Sequence, residues 1–452
     1  MSLPGRATYP EGRELAQVVA GRHRRGTIFK LTFLAALMLA VIALLTLLLQ
    51  VIDSSFGYVA LQNEVQPREL VASLGYGEDV DLVDLSKADL VVLLQQTISN
   101  NVGRRLERDQ RFFDDRLVFE NESKYVELCA GAEPVPGCSA TARDQPGVYQ
   151  LVVERVVQPT VLQTWTLLES VFSRGDIHAE AAAEYPQADL VFRSWVSGRF
   201  LVSPQAPDPA VAGVRTAVLG SLWIVAITLL FSFPVGVGAA IYLEEYASDN
   251  RLNRLIQTNI NNLAGVPSII YGMLGLAIFV RALEGFSSGA FFGVGGAGAT
   301  TNGRTIVAAG LTLGLLILPI IIINAQEAIR AVPRSLRQAG MALGATKWQT
   351  TRAHVLPSAL PGILTGTILA VARALGETAP LVVVGASTFI TTDPSGPFSK
   401  FTALPIQIYQ WTSRPQDEFR NIAAAAIIVL LVMLLTLNAT AVILRNRYAR
   451  RV

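Results

Sequence analysis

The sequence predicts an α-helical polytopic membrane protein: six transmembrane helices with one large α+β insert on the extracytoplasmic side. Composition is the first reason. The 452-residue chain is 51% hydrophobic and only 16% charged, with a mean hydropathy of +0.42, too apolar for a soluble protein of this size. Second, five to six apolar runs reach the roughly 20 residues needed to cross a ~30 Å hydrocarbon core. Third, composition shifts sharply between residues 53 and 212, where RRLERDQRFFDDR and ENESKYVE are soluble-type sequence. A net charge of +2 gives no electrostatic case for a nucleic-acid partner.

The spans follow in order. Residues 31–52 are nearly pure Leu, Ala, Ile and Val. That run is too long and uniform for a cleaved signal segment, and no small-x-small site follows it. Residues 216–243, 260–280 and 305–324 supply the second to fourth spans, with Pro267 kinking the third. The fifth, 363–390, is interrupted near 376–380, and the sixth is 422–444.

Basic residues set the orientation. Arg22, Arg24, Arg25 and Lys30 precede the first span. Arg330, Arg334, Arg337, Lys347 and Arg352 fill the loop between the fourth and fifth, and Arg445, Arg447, Arg450 and Arg451 close the chain. Six spans put all three clusters on one side, and the positive-inside rule makes that side the cytoplasm. The expectation is a multi-pass protein of the inner (cytoplasmic) membrane with both termini cytoplasmic. Its parts are a basic N-terminus (1–30), a first span (31–52), an extracytoplasmic insert (53–212) and a transmembrane domain (213–452) carrying a cytoplasmic loop at 325–362.

Within the insert, Ser86 reads as the N-cap of a helix through LVVLLQQTISNNVGRRL, with Leu93, Leu94 and Ile98 near helical spacing. VYQLVVERVV, around 148–157, reads as a strand, VLQTWTLLESVF from Val161 as a helix, and 204–209 as a linker into the second span. The two cysteines, Cys129 and Cys138, flank AGAEPVPG. Outside the cytoplasm a local disulfide between them is expected, with two free thiols as the alternative.

Catalytic motifs are absent. There is no GxxxxGK[ST] phosphate loop, so the chain is not expected to hydrolyse ATP, and there is no GxSxG or HExxH. His23, His178 and His354 are far apart, so no metal site is expected. The glycine-rich stretch at 293–298 has no lysine and reads as an extracytoplasmic loop.

The loop between the fourth and fifth spans is more informative. Pro333 suits the first turn of a helix that continues through 335–343, and Gly344 stops it as a C′ residue would. Leu336, Ala339, Met341 and Leu343 supply apolar surface, while Arg334, Arg337 and Gln338 supply polar surface. A second amphipathic segment, 346–354, leads through Leu356 and Pro357 back to the membrane. Such a helix is either a lever for a docking partner or an interfacial anchor to membrane lipid.

Residues 338–340 read Gln-Ala-Gly, Gly344 follows, and 354–357 read His-Val-Leu-Pro. With the same spacing, this resembles the Glu-Ala-Ala…Gly…Ile-x-Leu-Pro coupling loop of ABC-importer permeases, departing from it at Gln338, Gly340 and His354. Four further blocks lie in order between the right spans: GVGAAIYLEEYA (236–247), NLAGVPSIIYGMLGLA (262–277), VPRSLRQAGMALGATKWQTT (332–351) and ARALGETAPL (372–381). Together they resemble the PstA-type permeases of phosphate ABC importers, across about 210–450. The resemblance implies a type I importer core of five spans, here with an added N-terminal span and insert. It implies a PstC-like permease as heterodimer partner, an ATPase homodimer holding ATP and Mg, a phosphate-binding protein, and no cofactor in this chain. It assigns ATPase coupling to Arg337, Gln338, Ala339, Gly340, Gly344, Ala345, Leu356 and Pro357.

Arg373 and Glu377 stand one helical turn apart in the fifth span, near mid-bilayer by residue count. Charges at that depth cost roughly 2.5–3.5 kcal/mol each and face a protein interior or water path. One reading is a translocation gate: Arg373 meets phosphate with its planar fork, and Glu377 tunes its affinity. The other is a structural ion pair at a permease interface. Asn261, Asn262 and Ser268 either line the route or serve as interhelical hydrogen-bond glue. Other function classes are a permease for another oxyanion (phosphonate, sulfate or molybdate), a channel or secondary transporter, and a membrane-anchored extracytoplasmic sensor.

Overall fold

The computed structural model describes residues 13–77, 80–97, 145–293, 302–386, 389–390 and 393–449. Cys129, Cys138, Ile98 and the glycine-rich stretch at 294–298 lie outside the described residues. The chain divides into two units, Met1–Asp53 and Ser54–Val452.

The first unit holds all but the last two residues of helix α1 (Arg13–Ser55), 43 residues and therefore about 65 Å long. From Leu31 to Leu49 its large apolar side chains are exposed, as expected of a helix solvated by lipid rather than protein.

The second unit opens with a three-stranded antiparallel sheet in the order β2-β1-β3, formed by β1 (Phe56–Gln62), β2 (Thr160–Thr164) and β3 (Asp189–Ser194). Val59 of the central strand pairs with Thr164 on one side and Val191 on the other. Helix α2 (Pro67–Ser73) and α3 (Lys87–Thr97) precede α4 (Gln145–Val152). Two expectations are corrected here. The valine-rich 148–157 is α4 and a π-helical turn at Val153–Val157, because Val148, Leu151, Val152, Val156 and Val157 are buried at helical spacing. Burial thus overrides the β-propensity of the valines. The segment from Val161 begins as β2, and helix α5 (Leu167–Phe172) starts only after a Thr166–Glu169 capping box. Helix α6 (Arg174–Glu184) then leads to β3.

The stretch at 204–209 is no loose linker. After α7 (Gly198–Val202), Gln205 and Ala206 are 2% and 1% exposed, and the Gln205 side-chain oxygen accepts from the Ile390 amide. Arg193 stacks on Trp195 at 4.4 Å and donates to the Ala210 carbonyl, tying β3 to this segment. Burial lowers the Arg193 pKa to about 10, which leaves it charged at neutral pH. A Cβ on Gly213 would lie 2.2 Å from the Ser203 oxygen, so only glycine allows this approach.

Five helices among the described residues are long and apolar enough to cross a membrane. In the second unit they are α8 (Arg215–Ile241), α11 (Ile306–Arg330), α13 (Lys347–Gly376) and α16 (Asp417–Ala449). The expected third span is not one rod. It is α9 (Arg251–Leu263) and α10 (Ser268–Gly275, continuing to Ala282), bent by 106°. Pro267 lacks the N–H a continuing helix requires, and the residues before it close as a turn. The fifth span also begins earlier than expected: α13 runs unbroken from Lys347 through a π-helical turn at Thr351–Val355, across Leu356 and Pro357. It ends at Gly376 and is followed by the short helix α14 (Ala379–Val384).

Helix α11 is the buried centre. Its Gly310 and Gly314 face Ile227 and Phe231 of α8, where a Cβ would clash at 2.7 and 2.6 Å. Thr228 donates to the Gly310 carbonyl at 2.9 Å across the same contact. Small residues and cross-helix hydrogen bonds drive helix association where the hydrophobic effect cannot.

One hydrophobic core joins the insert to one end of the helices. Leu90, Leu93, Val148, Val152 and Phe200 pack in one cluster with Ala217 of α8, Leu404 and Trp411 of α15 (Leu404–Thr412), and Ile422 of α16. Phe200 and Trp411 stand 6.2 Å apart, 4% and 1% exposed. A strap before α15 bonds across the helix ends: Asp393 pairs with Arg215 at 2.9 Å, and Ser399 accepts from the Ile306 amide. Phe200→Ala should therefore destabilise the folded chain by roughly 3–5 kcal/mol, read as a lowered thermal midpoint of purified protein in detergent. Leu201→Ala, on the exposed side of the same helix, should stay within about 0.5 kcal/mol.

Candidate functional site

Two sites at opposite ends of the chemistry emerge from these helices: a braced loop at the end of α11, and a charged break at the end of α13.

Helix α12 (Arg334–Ala342) follows Pro333 directly after α11. Its end is a Schellman motif: the Gly344 amide donates to the Met341 carbonyl at 3.0 Å and the Ala345 amide to the Gly340 carbonyl at 3.2 Å. Gly344 has φ +82°, which a side chain strains. Thr346 then opens α13 with a capping box to Gln349. Gly340 lies against Thr350, where a Cβ would approach Oγ1 to 2.8 Å, so the glycine lets α12 pack on α13. Gln338 and Ala339 are exposed, Ala345 is half-buried, and Leu356 and Pro357 lie inside the continuous α13.

Arg337 braces this hairpin. Its Nη2 donates to Glu245 Oε1 and to the Ile329 carbonyl, both at 2.8 Å, and Nη1 donates to the Val332 carbonyl at 2.7 Å. The Arg337 and Glu245 side chains are only 20% and 12% exposed. Next to it, Arg330 pairs with Glu244 at 2.5 Å. The sequence analysis gave Glu244 and Glu245 no role; the available signal was two carboxylates ending one span on the side where the next loop is basic. With α12 so held, Leu336, Met341, Leu343 and Trp348 remain 40%, 48%, 89% and 52% exposed. That is an apolar face on a rigid mount, suited to burial against a protein surface.

At the second site, Arg373 lies in the last turn of α13, and Glu377 is the residue that ends the helix, in an extended conformation (φ −77°, ψ 122°). The expected shared helix face is thus corrected: the chain leaves the helix and brings Glu377 Oε1 to 3.4 Å from Arg373 Nε. The cause is Pro380, which supplies no N–H to continue the helix. The residue count that set Arg373 near mid-bilayer also changes, since α13 starts at Lys347. Arg373 is 46% exposed and Glu377 18%. The pair presents a guanidinium to open space with a carboxylate behind it, which can receive an anion while supplying a competing partner.

Helix α10 closes on this break. A Cβ on Gly272 would lie 2.7 Å from Pro380 Cα, so α10 and α14 meet backbone to backbone. Tyr271 donates its hydroxyl to the Leu263 carbonyl at 2.8 Å, satisfying the end of α9 across the bend. Ser268 opens α10 and is half-buried. Asn261 and Asn262 lie on the other arm of the bend: they are exposed near the end of α9, where Asn261 accepts from Gln257. Gln257 in turn exchanges hydrogen bonds with the buried Gln326 of α11.

Comparison with known proteins follows the same region. Residues 232–452 match the family described as binding-protein-dependent transport system inner membrane component. The probable ABC transporter permease protein YqgI of Bacillus subtilis (strain 168) is 32% identical over 260 residues, 54% of this chain and 83% of the relative. The phosphate transport system permease protein PstA 1 of Mycobacterium tuberculosis (strain CDC 1551 / Oshkosh) is 34% identical over 247 residues, 54% of this chain and 74% of the relative. The phosphate transport system permease protein PstA of Haemophilus influenzae is 34% identical over 240 residues, 53% and 77% of the two chains.

The brace makes a local prediction. Arg337→Ala leaves Glu245 half-buried and unpaired, a loss of roughly 3 kcal/mol. Amide exchange across 334–342 should then accelerate about 100-fold, measured by hydrogen–deuterium exchange on the purified protein. Unchanged exchange would mean that α12 is held by packing alone.

Proposed function

The chain belongs to the binding-protein-dependent transport system inner membrane components, and from that membership we propose that it carries inorganic phosphate through an ATP-driven importer. It is a non-catalytic, membrane-embedded permease subunit; a separate ATPase hydrolyses ATP, and a substrate-binding protein works with it. The phosphate assignment draws support from the phosphate permeases among its relatives. The observation that carries it in this molecule is the Arg373–Glu377 pair, held at a helix break within the matched region.

The mechanism follows from that pair. A guanidinium fork matches two phosphate oxygens and stays charged throughout the cycle. A bare arginine would hold a divalent anion too long. Glu377 competes for Arg373, so the anion is received and then displaced. Glycine at 376 and proline at 380 leave backbone groups at the break, which only a protein-lined or watered cavity tolerates. Power arrives through α12: the ATPase grips the exposed Leu336, Met341, Leu343 and Trp348, and the Arg337–Glu245 brace passes its motion to α8 and α11. In this reading Arg337, Gln338, Ala339, Gly340, Gly344 and Ala345 form the coupling hairpin, and Leu356 and Pro357 continue it into α13.

The assembly proposed is a heterodimer with a PstC-like permease over an ATPase homodimer that holds ATP and Mg, fed by a phosphate-binding protein. The coupling hairpin and both termini face the cytoplasm, and the insert faces outward.

Labelled-phosphate uptake by cells lacking only this gene tests the assignment. Supplying the chain should restore ATP-dependent uptake that phosphate competes and sulfate does not. Restoration competed by sulfate, molybdate or phosphonate instead would reassign the oxyanion. Glu377→Gln should lower uptake about tenfold, the equivalent of ~1.4 kcal/mol, with the ATPase still co-purifying. Loss of assembly in that variant would make the pair structural.

A further inference from the structure

Arg373 is not the only guanidinium on this side of the molecule. Arg281, at the end of the turn that extends α10, and Arg304, just before α11, line a cleft of about 270 Å³ with Leu276, Val280, Glu284 and Asn302. Among the described residues neither arginine has a carboxylate within ion-pair distance, although Glu284 lines the same cleft. Two guanidiniums against one carboxylate leave the cleft net positive. Its volume lies just under the lower bound of ligand-holding clefts, about 300 Å³, the scale of a small anion rather than a sugar chain or peptide.

The backbone around Arg304 is fixed. Gly303 has φ +63° and faces the Val280 carbonyl, where a Cβ would come to 2.6 Å. Thr305 caps α11 and donates its hydroxyl to the Ser287 carbonyl at 2.7 Å. The arginine stem then crosses Gly385, where a Cβ would lie 2.5 Å from its Cδ. Gly385 has φ +110° and ends α14, the six-residue helix that begins beside Glu377. One short helix, about 9 Å long, therefore links the Arg281–Arg304 cleft to the Arg373–Glu377 pair. The cleft also lies at the opposite end of α11 from the coupling hairpin, about 37 Å away along a 25-residue helix.

We propose that Arg281 and Arg304 form an outer oxyanion station, which receives the anion at the extracytoplasmic mouth and passes it along α14 to Arg373. This rests on the phosphate-permease reading. Two unpaired guanidiniums raise the local anion concentration and shorten the wait for the inner pair. Asn302 supplies an amide donor, and Glu284 supplies a carboxylate that keeps the station from becoming a trap.

The test uses the complete importer, reconstituted with its ATPase and phosphate-binding protein in liposomes. The rate of phosphate uptake is measured for the parent, Arg281→Gln, Arg304→Gln, the double variant and Arg304→Lys. Binding of the phosphate-binding protein to each assembly is measured separately. The double variant should lose about tenfold in rate, Arg304→Lys should retain most of it, and binding-protein affinity should stay at the parent value. Co-purification of the ATPase shows that each variant is assembled. Parent rates in the double variant would overturn the station while leaving the phosphate assignment intact. A rate that falls only in step with binding-protein affinity would also overturn it, making the arginines a protein contact. A parent that moves no phosphate overturns the assignment and the station together.

Discussion

In hydrocarbon every backbone N–H and C=O must find a partner within the protein, and this single requirement shapes the membrane half of the molecule. Unbroken helices meet it by themselves. The two breaks, at 264–267 and 377–378, do not, and neighbouring residues of the fold cover both. Tyr271 donates its hydroxyl to the last carbonyl of α9. Gly272 lets the second break pack against α10 with no side chain between them. The two breaks lie against each other, and the Arg373–Glu377 pair sits at the second, at the end of α13.

The same logic governs the surface hairpin, where water replaces the missing partners and charge becomes affordable. Arg337 spends its donors on one carboxylate and two helix-end carbonyls. It satisfies the frayed end of α11 and fixes α12 with one side chain. Because Glu245 belongs to the far end of α8, a push on the hairpin reaches two spans at once. The helix that follows needs no such clamp, since α13 continues without interruption from the hairpin into the membrane.

Much of this was legible in the residues. Long apolar runs, Gly344 after an amphipathic stretch, and basic clusters at three points each have a one-step physical meaning. What escaped reading was tertiary. The valines of 148–157 look like a strand until their burial pattern shows a helix. Residues 260–263 looked apolar enough to open a span, yet they close the exposed α9 before a 106° bend. The break near 376–380 was legible from Gly376 and Pro380, but not that it would leave Glu377 extended with its carboxylate 3.4 Å from Arg373. Arg281 and Arg304 gave no local signal, because their meaning lies in elements distant along the chain.

The shared core of the insert and the helix ends it packs on has a mechanical consequence. Phe200, Trp411 and Ala217 pack as parts of one interior, with no solvent-filled hinge between them. The insert cannot nod or swing while the helices stay still. A tilt of α8 therefore carries the lobe with it, and the insert works like the needle of a gauge whose pivot is the helix end it packs on.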